Sequence, residues 1–400
     1  MDLTGGIGSG REPLGQDRQI ALVSGPRQVG KTTSSRAGAD DHTYFSWDRQ
    51  SDRILITRGP DAVAGEIGLE EVSPSPRRVV FDETHKYRSW RSFLKGFFDV
   101  YSDRTRSVVT GSARLSYFRR GGDSLMGRYF LYRMHPLSVG ELARQTIADE
   151  PVQPPVRIDS ASFSDLLRFG GFPEPFLRAE TRFYNRWRRL RTELLFREDL
   201  RDLTRIQEAG QVEVLGQLLA DRAGQLVNYS NLAAEVNVAV DTVQRWMAAL
   251  EALYFCFTVR PWHRNVPKSL RKQPKIFLWD WSIVAAEGAR RENLIASQLL
   301  KAVHWWTDNG LGDFDLYYVR DKTKREVDFL VTRGGAPWFL AEVKSTAWRT
   351  LAPALGYFQQ QIGAAHAFQI AVDAEYVDVD CFTQTRPTEV PALTFLSQLV

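Results

Sequence analysis

The sequence predicts an α/β chain in three parts: a parallel sheet with helices on both faces, a helical stretch, and a second, mixed α/β part. Three observations predict it. The apolar run Ile20-Ala21-Leu22-Val23 leads into Gly25-Pro26-Arg27-Gln28-Val29-Gly30-Lys31-Thr32, a G-x-x-x-x-G-K-T pattern that sits between a buried strand and a helix. From Gln19 to about Gly140, short apolar stretches alternate with helical ones. After Pro151, Pro154 and Pro155 the pattern turns helical, and from Lys275 onward it is mixed again. The boundaries that follow are 1–150, 151–274 and 275–400.

In the first part the strands fall at Ile20–Ser24, Thr43–Trp47, Arg78–Asp82, Ser107–Thr110 and Tyr129–Arg133. The second part carries helices at Phe163–Arg168, around Tyr184–Arg201 and around Gln211–Asp221. Residues 226–260 then read as a winged helix-turn-helix: a cap at Ser230-Asn231, a helix Leu232–Val236, a turn at Asn237, and Asp241–Ala252 with Val243, Trp246 and Leu250 inward. Its outward Asp241, Gln244 and Arg245 suit packing or a lid better than base reading, since an acidic residue near a helix start is a cap as readily as a base contact. The third part predicts Lys275–Trp279, helix Glu292–Val303, strands Phe314–Val319, Glu326–Thr332 and Trp338–Lys344, helix Leu355–Ile362, and strands Phe368–Val372 and Tyr376–Phe382.

The glycine pattern has a chemistry. Glycines let backbone N–H groups curl inward around phosphates, Lys31 reaches the β- and γ-phosphates, and the Thr32 hydroxyl ligates magnesium, with Thr33 alongside. The helix that follows points its N-terminal dipole at the same anion. Arg78-Val79-Val80-Phe81-Asp82-Glu83 is a hydrophobic strand ending in two carboxylates, Asp82 to hold Mg²⁺ and Glu83 to polarise the attacking water. Val108-Val109-Thr110-Gly111-Ser112-Ala113-Arg114 ends in polar residues where a sensor, Ser112 among them, would touch the γ-phosphate. The order fits ATPases with an additional strand between the two motifs, and no Asn-Lys-x-Asp guanine pattern is present.

Composition narrows the class. With 43% hydrophobic residues in 400, buried cores are ample, and no run approaches the roughly 18–20 apolar residues of a membrane helix. Met1 to Arg18 is Gly-rich and polar without a signal-peptide core, so a cytoplasmic protein without a membrane partner is expected. Cys256 and Cys381 lie far apart, which argues against a disulfide framework or zinc site. Net charge is only +4, but the basic residues cluster. Arg182, Arg186, Arg188, Arg189 and Arg191 interleave with Phe183, Tyr184 and Trp187, and Arg260, Arg264, Lys268, Arg271, Lys272 and Lys275 run with Trp262 and His263. Either run reads as a DNA or RNA surface, cations for phosphates and aromatics for bases, or as a solvated face whose aromatics are core.

The motifs, with Asp82-Glu83 followed by His85-Lys86 and Trp90, Thr110-Gly111-Ser112, Gly127-Arg128, Pro136-Leu137-Ser138, Gly171-Phe172-Pro173-Glu174, Lys275–Asp280, Glu292-Asn293-Leu294 and the final Glu-Val-Lys, resemble the prokaryotic AAA-type ATPases that carry a C-terminal domain of unknown function. The resemblance spans nearly the whole chain. It implies a P-loop ATPase, a helical lid and winged helix, and a C-terminal part similar to restriction-endonuclease-like folds, with ATP and Mg²⁺ as cofactors. His85 stands where an apolar or Gln-like residue is more usual, and the short stretch before Ile20 suggests that an N-terminal helix is missing. Arg128 and Arg114 become candidates for a sensor or an arginine finger acting on their own or a neighbouring subunit, against a structural ion pair, and a homo-oligomer is expected with the finger.

In the third part Asp328 sits in Glu326-Val327-Asp328-Phe329-Leu330-Val331, and after Gly334-Gly335 the chain returns as Phe339-Leu340-Ala341-Glu342-Val343-Lys344. Glu342 and Lys344 share a face by the period of two, and a hairpin sets Asp328 across from them. Such a group can bind Mg²⁺, orient water and stabilise a pentavalent phosphate. It resembles the PD-(D/E)xK nuclease pattern, with Glu292 as an extra metal ligand, Gln359 or Gln360 in support, and Val327 in place of the proline. Two functions stay open: an ATPase coupled to a nuclease-like domain acting on nucleic acid, and an ATP-regulated protein-interaction switch whose nuclease-like domain cuts nothing.

Overall fold

The computed structural model describes residues 17–36, 42–71, 73–111, 125–144, 150–203, 206, 208–263, 273–347 and 350–400. Two compact units divide the chain, one ending at His135 and one formed by Pro136–Arg144 with Asp149–Val400. The fold is α/β in both sheets.

The first unit holds a wholly parallel five-stranded sheet: β1 (Ile20–Ser24), β2 (His42–Ser46), β3 (Arg77–Asp82), β4 (Thr105–Gly111) and β5 (Tyr129–Arg133), in the order β2-β3-β4-β1-β5. The strand β4 therefore lies between the strand feeding Lys31 and the strand ending at Asp82, which is the extra-strand arrangement that the motif order predicts. Thr110 is the register partner of both Val23 and Asp82, so the carboxyl ends of β1, β3 and β4 finish level at one edge. One face is packed by the helix Trp90–Tyr101, whose Trp90, Phe93, Leu94 and Phe97 recur at helical spacing and point inward. Phe93 and Phe97 meet Phe81 edge-on at 5.5 and 5.3 Å, and Phe45 stacks on it at 5.7 Å. The other face presents Ala21, Val23, Val80 and Val108, with Tyr44, Tyr132 and Met134 packed against them.

In the second unit, helices Ser160–Phe169, Pro173–Arg178, Thr181–Leu194, Ala209–Asp221, Tyr229–Val236 and Val240–Ala252 precede a mixed seven-stranded sheet. Its strands are β6 (Cys256–Pro261), β7 (Lys275–Leu278), β8 (Phe314–Arg320), β9 (Glu326–Arg333), β10 (Ala336–Lys344), β11 (His366–Ala371) and β12 (Thr388–Pro391), in the order β12-β11-β10-β9-β8-β6-β7. Gly334 and Gly335, both at positive φ (57° and 75°), make the tight β9–β10 turn that only glycine adopts without strain. The long helix Glu287–Asp308 crosses the sheet, and its Asn293 amide accepts from the Leu278 N–H at 2.8 Å and donates to the Leu278 carbonyl at 2.7 Å. Along the same outer edge of β7, Gly224 N–H donates to Ile276 and Ile276 N–H to Gln225.

Several expectations change. Two helices, Tyr229–Val236 and Val240–Ala252, meet at Asn237 in the left-handed region with Val243, Trp246 and Leu250 buried, but the cap is Asn228, which accepts from Asn231 N–H at 3.1 Å. The strand after it, β6, is built into the large sheet between β7 and β8. Tyr376–Phe382 is not a strand. Val377 and Val379 face solvent, the Val377 backbone is paired by the Thr394 hydroxyl at 2.9 and 2.8 Å, and Asp380 caps a single 3₁₀ turn, Cys381–Thr383. The strand beside β11 comes later, at β12.

Two candidate sites, one at the phosphate loop and one on the mixed sheet

The phosphate loop leaves β1 where the next chain crossing is closest. A Cβ on Gly25 would lie 2.4 Å from the Met134 carbonyl oxygen, and Gly30 sits at φ 102°, so both glycines are required by the backbone. Gln28 also takes a positive φ, 63°, and Val29 anchors the loop in the core. Pro26 and Arg27 complete the curve. Lys31 is buried and its ammonium donates to the carbonyls of Gly25 (2.9 Å) and Pro26 (2.6 Å), folded back over the loop it is expected to serve. Thr32 and Thr33 open the helix Lys31–Arg36, both exposed, and the Thr32 hydroxyl donates to Asp82 at 3.2 Å. Loop and strand end thus meet through the two groups that would share a magnesium ion.

Asp82 is held from two further sides, by the hydroxyls of Tyr44 and Thr110. Burial, then Asp82 itself, pushes the Tyr44 phenol up to about 12, so it stays a donor. The Arg36 guanidinium lies 3.8 Å over the Tyr44 ring. Sequence reasoning missed Tyr44; the only signal was a polar tip in an apolar strand that ends level with β3. Glu83 takes the left-handed region at φ 56° and lies 3.4 Å from the Lys86 ammonium and 3.8 Å from the His85 ring. Lys86 also donates to Asp48 at 2.8 Å. Burial lowers the Lys86 pKa, but the hydrogen bond to Asp48 and the charges of Glu83 and Asp48 outweigh it and hold the ammonium above its ordinary range.

Arg128 falls elsewhere. Its carbonyl accepts from Ile20 N–H at the start of β1, and its guanidinium grips Asp99 at 2.6 and 3.2 Å, so it stands at the opposite end of the sheet from the loop and does not reach the phosphate site of its own chain. Ser112 and Arg114 lie outside the described residues.

The second site gathers Asp328, Glu342 and Lys344 as the hairpin predicts: Val343 N–H donates to Asp328 at 3.0 Å, Asp328 N–H to Glu342 at 3.3 Å, and Lys344 to Glu342 at 2.7 Å. Glu292 joins them, but through a cation. The buried Lys275 ammonium lies 3.1 Å from Asp328, 3.4 Å from Glu292 and 2.8 Å from Glu326. A metal is a poor fit here, because these carboxylates already converge on an ammonium. Among the described residues no cluster of three or more His, Cys, Asp or Glu side chains is disposed to hold an ion. Lys275 and Glu326 were missed as site residues because Lys275 falls in a run of exposed-looking cations. Gln359 points away, donating to the carbonyl of Thr385 at 2.9 Å.

In the first basic run the aromatics are core while Arg182, Arg186, Arg188 and Arg189 are exposed. Tyr184 and Trp187 are buried, and Arg191, 3.3 Å from Asp280, packs 4.0 Å over the Phe172 ring with its pKa lowered by burial. Arg264, Lys268, Arg271 and Lys272 lie outside the described residues.

Burial, then the Asp328 charge, pushes the Glu292 carboxyl up to about 8, and the same two causes raise Glu342. The folded chain then keeps a proton that the unfolded chain releases near 4.5, so this contribution to stability is complete below about 4.5 and is lost as pH rises through about 8. Urea midpoints across that window should fall with rising pH, and Glu292→Gln should flatten the fall; an equally steep fall in that variant would place the proton elsewhere.

A cradle of backbone, a lysine and a threonine–aspartate pair at the carboxyl edge of a parallel sheet defines a P-loop nucleotide-binding domain. Residues 17–143 match the family model described as "AAA domain", which supports an AAA-type P-loop ATPase for this part of the chain. Residues 160–293 and 287–379 match two models described as domains of unknown function (DUF8612 and DUF4143). Uncharacterized proteins of Mycobacterium bovis and Mycobacterium tuberculosis are each 26% identical over 343 residues, covering 82% of this chain and 70% of theirs. No helix among the described residues is long and apolar enough to cross a membrane.

Proposed function

We propose that the chain is an Mg²⁺-dependent, ATP-hydrolysing switch of the AAA type that acts through a partner bound by its second unit. The observation that carries the reading is the Thr32–Asp82 contact beside Lys31, where the cradle, its cation and both magnesium-holding groups lie together. Lys31 would hold the β- and γ-phosphates and Thr32 and Asp82 the metal, with Tyr44 and Thr110 keeping the Asp82 carboxylate aimed. Magnesium, when bound, supplies charge neutralisation on the phosphate oxygens. Glu83 takes the proton of the attacking water, and must loosen from Lys86 to do so.

The second unit reads best as a nuclease-like frame used for binding. What favours this over cleavage is the Lys275 ammonium among Glu292, Glu326 and Asp328. Cleavage of DNA or RNA is the second reading, favoured by the proximity of Asp328, Glu342 and Lys344. Incubating the full chain with plasmid, single-stranded DNA and RNA in Mg²⁺ or Mn²⁺ separates the two: metal-dependent cutting lost in Asp328→Ala would overturn the binding reading. For the ATPase itself, Glu83→Gln should retain ATP binding and slow turnover by about 10²–10⁴-fold, the usual worth of a general base. Turnover at the parental rate would remove Glu83 from the mechanism.

A further inference from the structure

In the second unit, a cavity of about 650 Å³ opens between the helices Thr181–Leu194 and Ala209–Asp221, the size of pocket that takes a nucleotide-sized ligand. Its floor is built. Directly after Leu194 the chain makes a π-helical turn, Leu195–Asp199, a feature that interrupts helices frequently at functional sites. The turn contributes Phe196, which meets Phe255 edge-on at 5.5 Å. Gly216 makes room for both rings, since a Cβ there would lie 2.6 Å from the Phe196 ring and 3.3 Å from that of Phe255.

The rim carries charge of both signs. Arg188 and Arg189 are exposed at its edge, and among the described residues neither is in an ion pair with a carboxylate. Glu193 and Glu213 also line the cavity, Glu193 held by Arg197 at 2.7 Å. Guanidinium forks match phosphate oxygens two at a time, and carboxylates accept from sugar hydroxyls or ring amino groups, above a floor closed by the nearly buried rings of Phe196 and Phe255. From this combination we infer that the cavity binds a nucleoside 5′-phosphate, either free or as the terminal nucleotide of a strand, at a site distinct from the phosphate loop.

The test uses the full chain carrying Lys31→Ala, so that the phosphate loop contributes little, with fluorescent 5′-AMP and a labelled 5′-phosphorylated oligothymidylate as probes. Saturable binding of either is expected, weakened about tenfold or more both by Arg188→Ala/Arg189→Ala, which removes two charge-assisted hydrogen-bond donors, and by Gln217→Trp, which fills the cavity from an exposed position. Binding of AMP alone identifies a free nucleotide, and binding of the oligonucleotide alone identifies a strand end. Failure of both probes to bind, or binding that survives either variant, overturns the site.

Discussion

Alanine at Lys31 is expected to lower ATP hydrolysis by about 10²–10³-fold, the scale on which a single transition-state donor is lost, and to weaken ATP binding with it. The geometry gives this variant a second effect. Lys31 is buried, and its ammonium bridges the carbonyls of Gly25 and Pro26, so removing it leaves two buried acceptors unmade and frees the loop as well as stripping it of charge. Titration calorimetry with ATP and Mg²⁺ checks the binding, and a coupled phosphate-release assay checks the turnover. A variant that binds and turns over ATP at parental levels would take the phosphate site away from this loop. The contrast with Glu83→Gln is the informative comparison, because the glutamate touches no backbone of the cradle and its loss should slow the chemistry while ATP still binds.

The largest effect on stability is expected at Lys275. Replacing it with methionine keeps the stem and removes the charge, leaving Glu292, Glu326 and Asp328 without the ammonium on which they converge. Taking one partner from a buried ionic group costs about 3–5 kcal/mol, far more than the group as a whole adds over an apolar substitute. The loss should be greatest at alkaline pH and smaller under mild acid, where the orphaned carboxylates can take up protons. Denaturant midpoints at several pH values measure it. A Lys275→Met chain as stable as the parent would mean that the three carboxylates are satisfied by solvent.

The first sheet was legible because each of its strands carries its own signal. Val79, Val80 and Phe81 form an unbroken apolar run because a parallel strand is covered on both faces, and the two carboxylates that end it mark where it leaves the core. Tyr376–Phe382 misled for the opposite reason. Its Val377, Val379 and Cys381 recur with the period of a half-buried strand, but the valines point to water and a threonine from the helix Ala392–Ser397 supplies the backbone partners. Local pattern cannot foresee a distant side chain that replaces a ladder.

The sites follow the same division. Asp328, Glu342 and Lys344 were legible because a two-glycine turn fixes the register of a hairpin. Lys275 was not, since its meaning depends on β7 and the helix Glu287–Asp308 approaching from elsewhere in the chain. Arg128 shows the same limit. A Gly-Arg pair before a strand says nothing about which end of the sheet it will occupy.

The outer margin of β7 bears on how molecules of this protein meet one another. A terminal strand normally offers a row of unused donors and acceptors to any extended chain that drifts past, and such rows are where fibrils and swapped dimers begin. Here the row is spoken for: the Asn293 amide answers both groups of Leu278, and the stretch Gly224–Gln225 answers those of Ile276. This margin of the sheet is closed to strand addition.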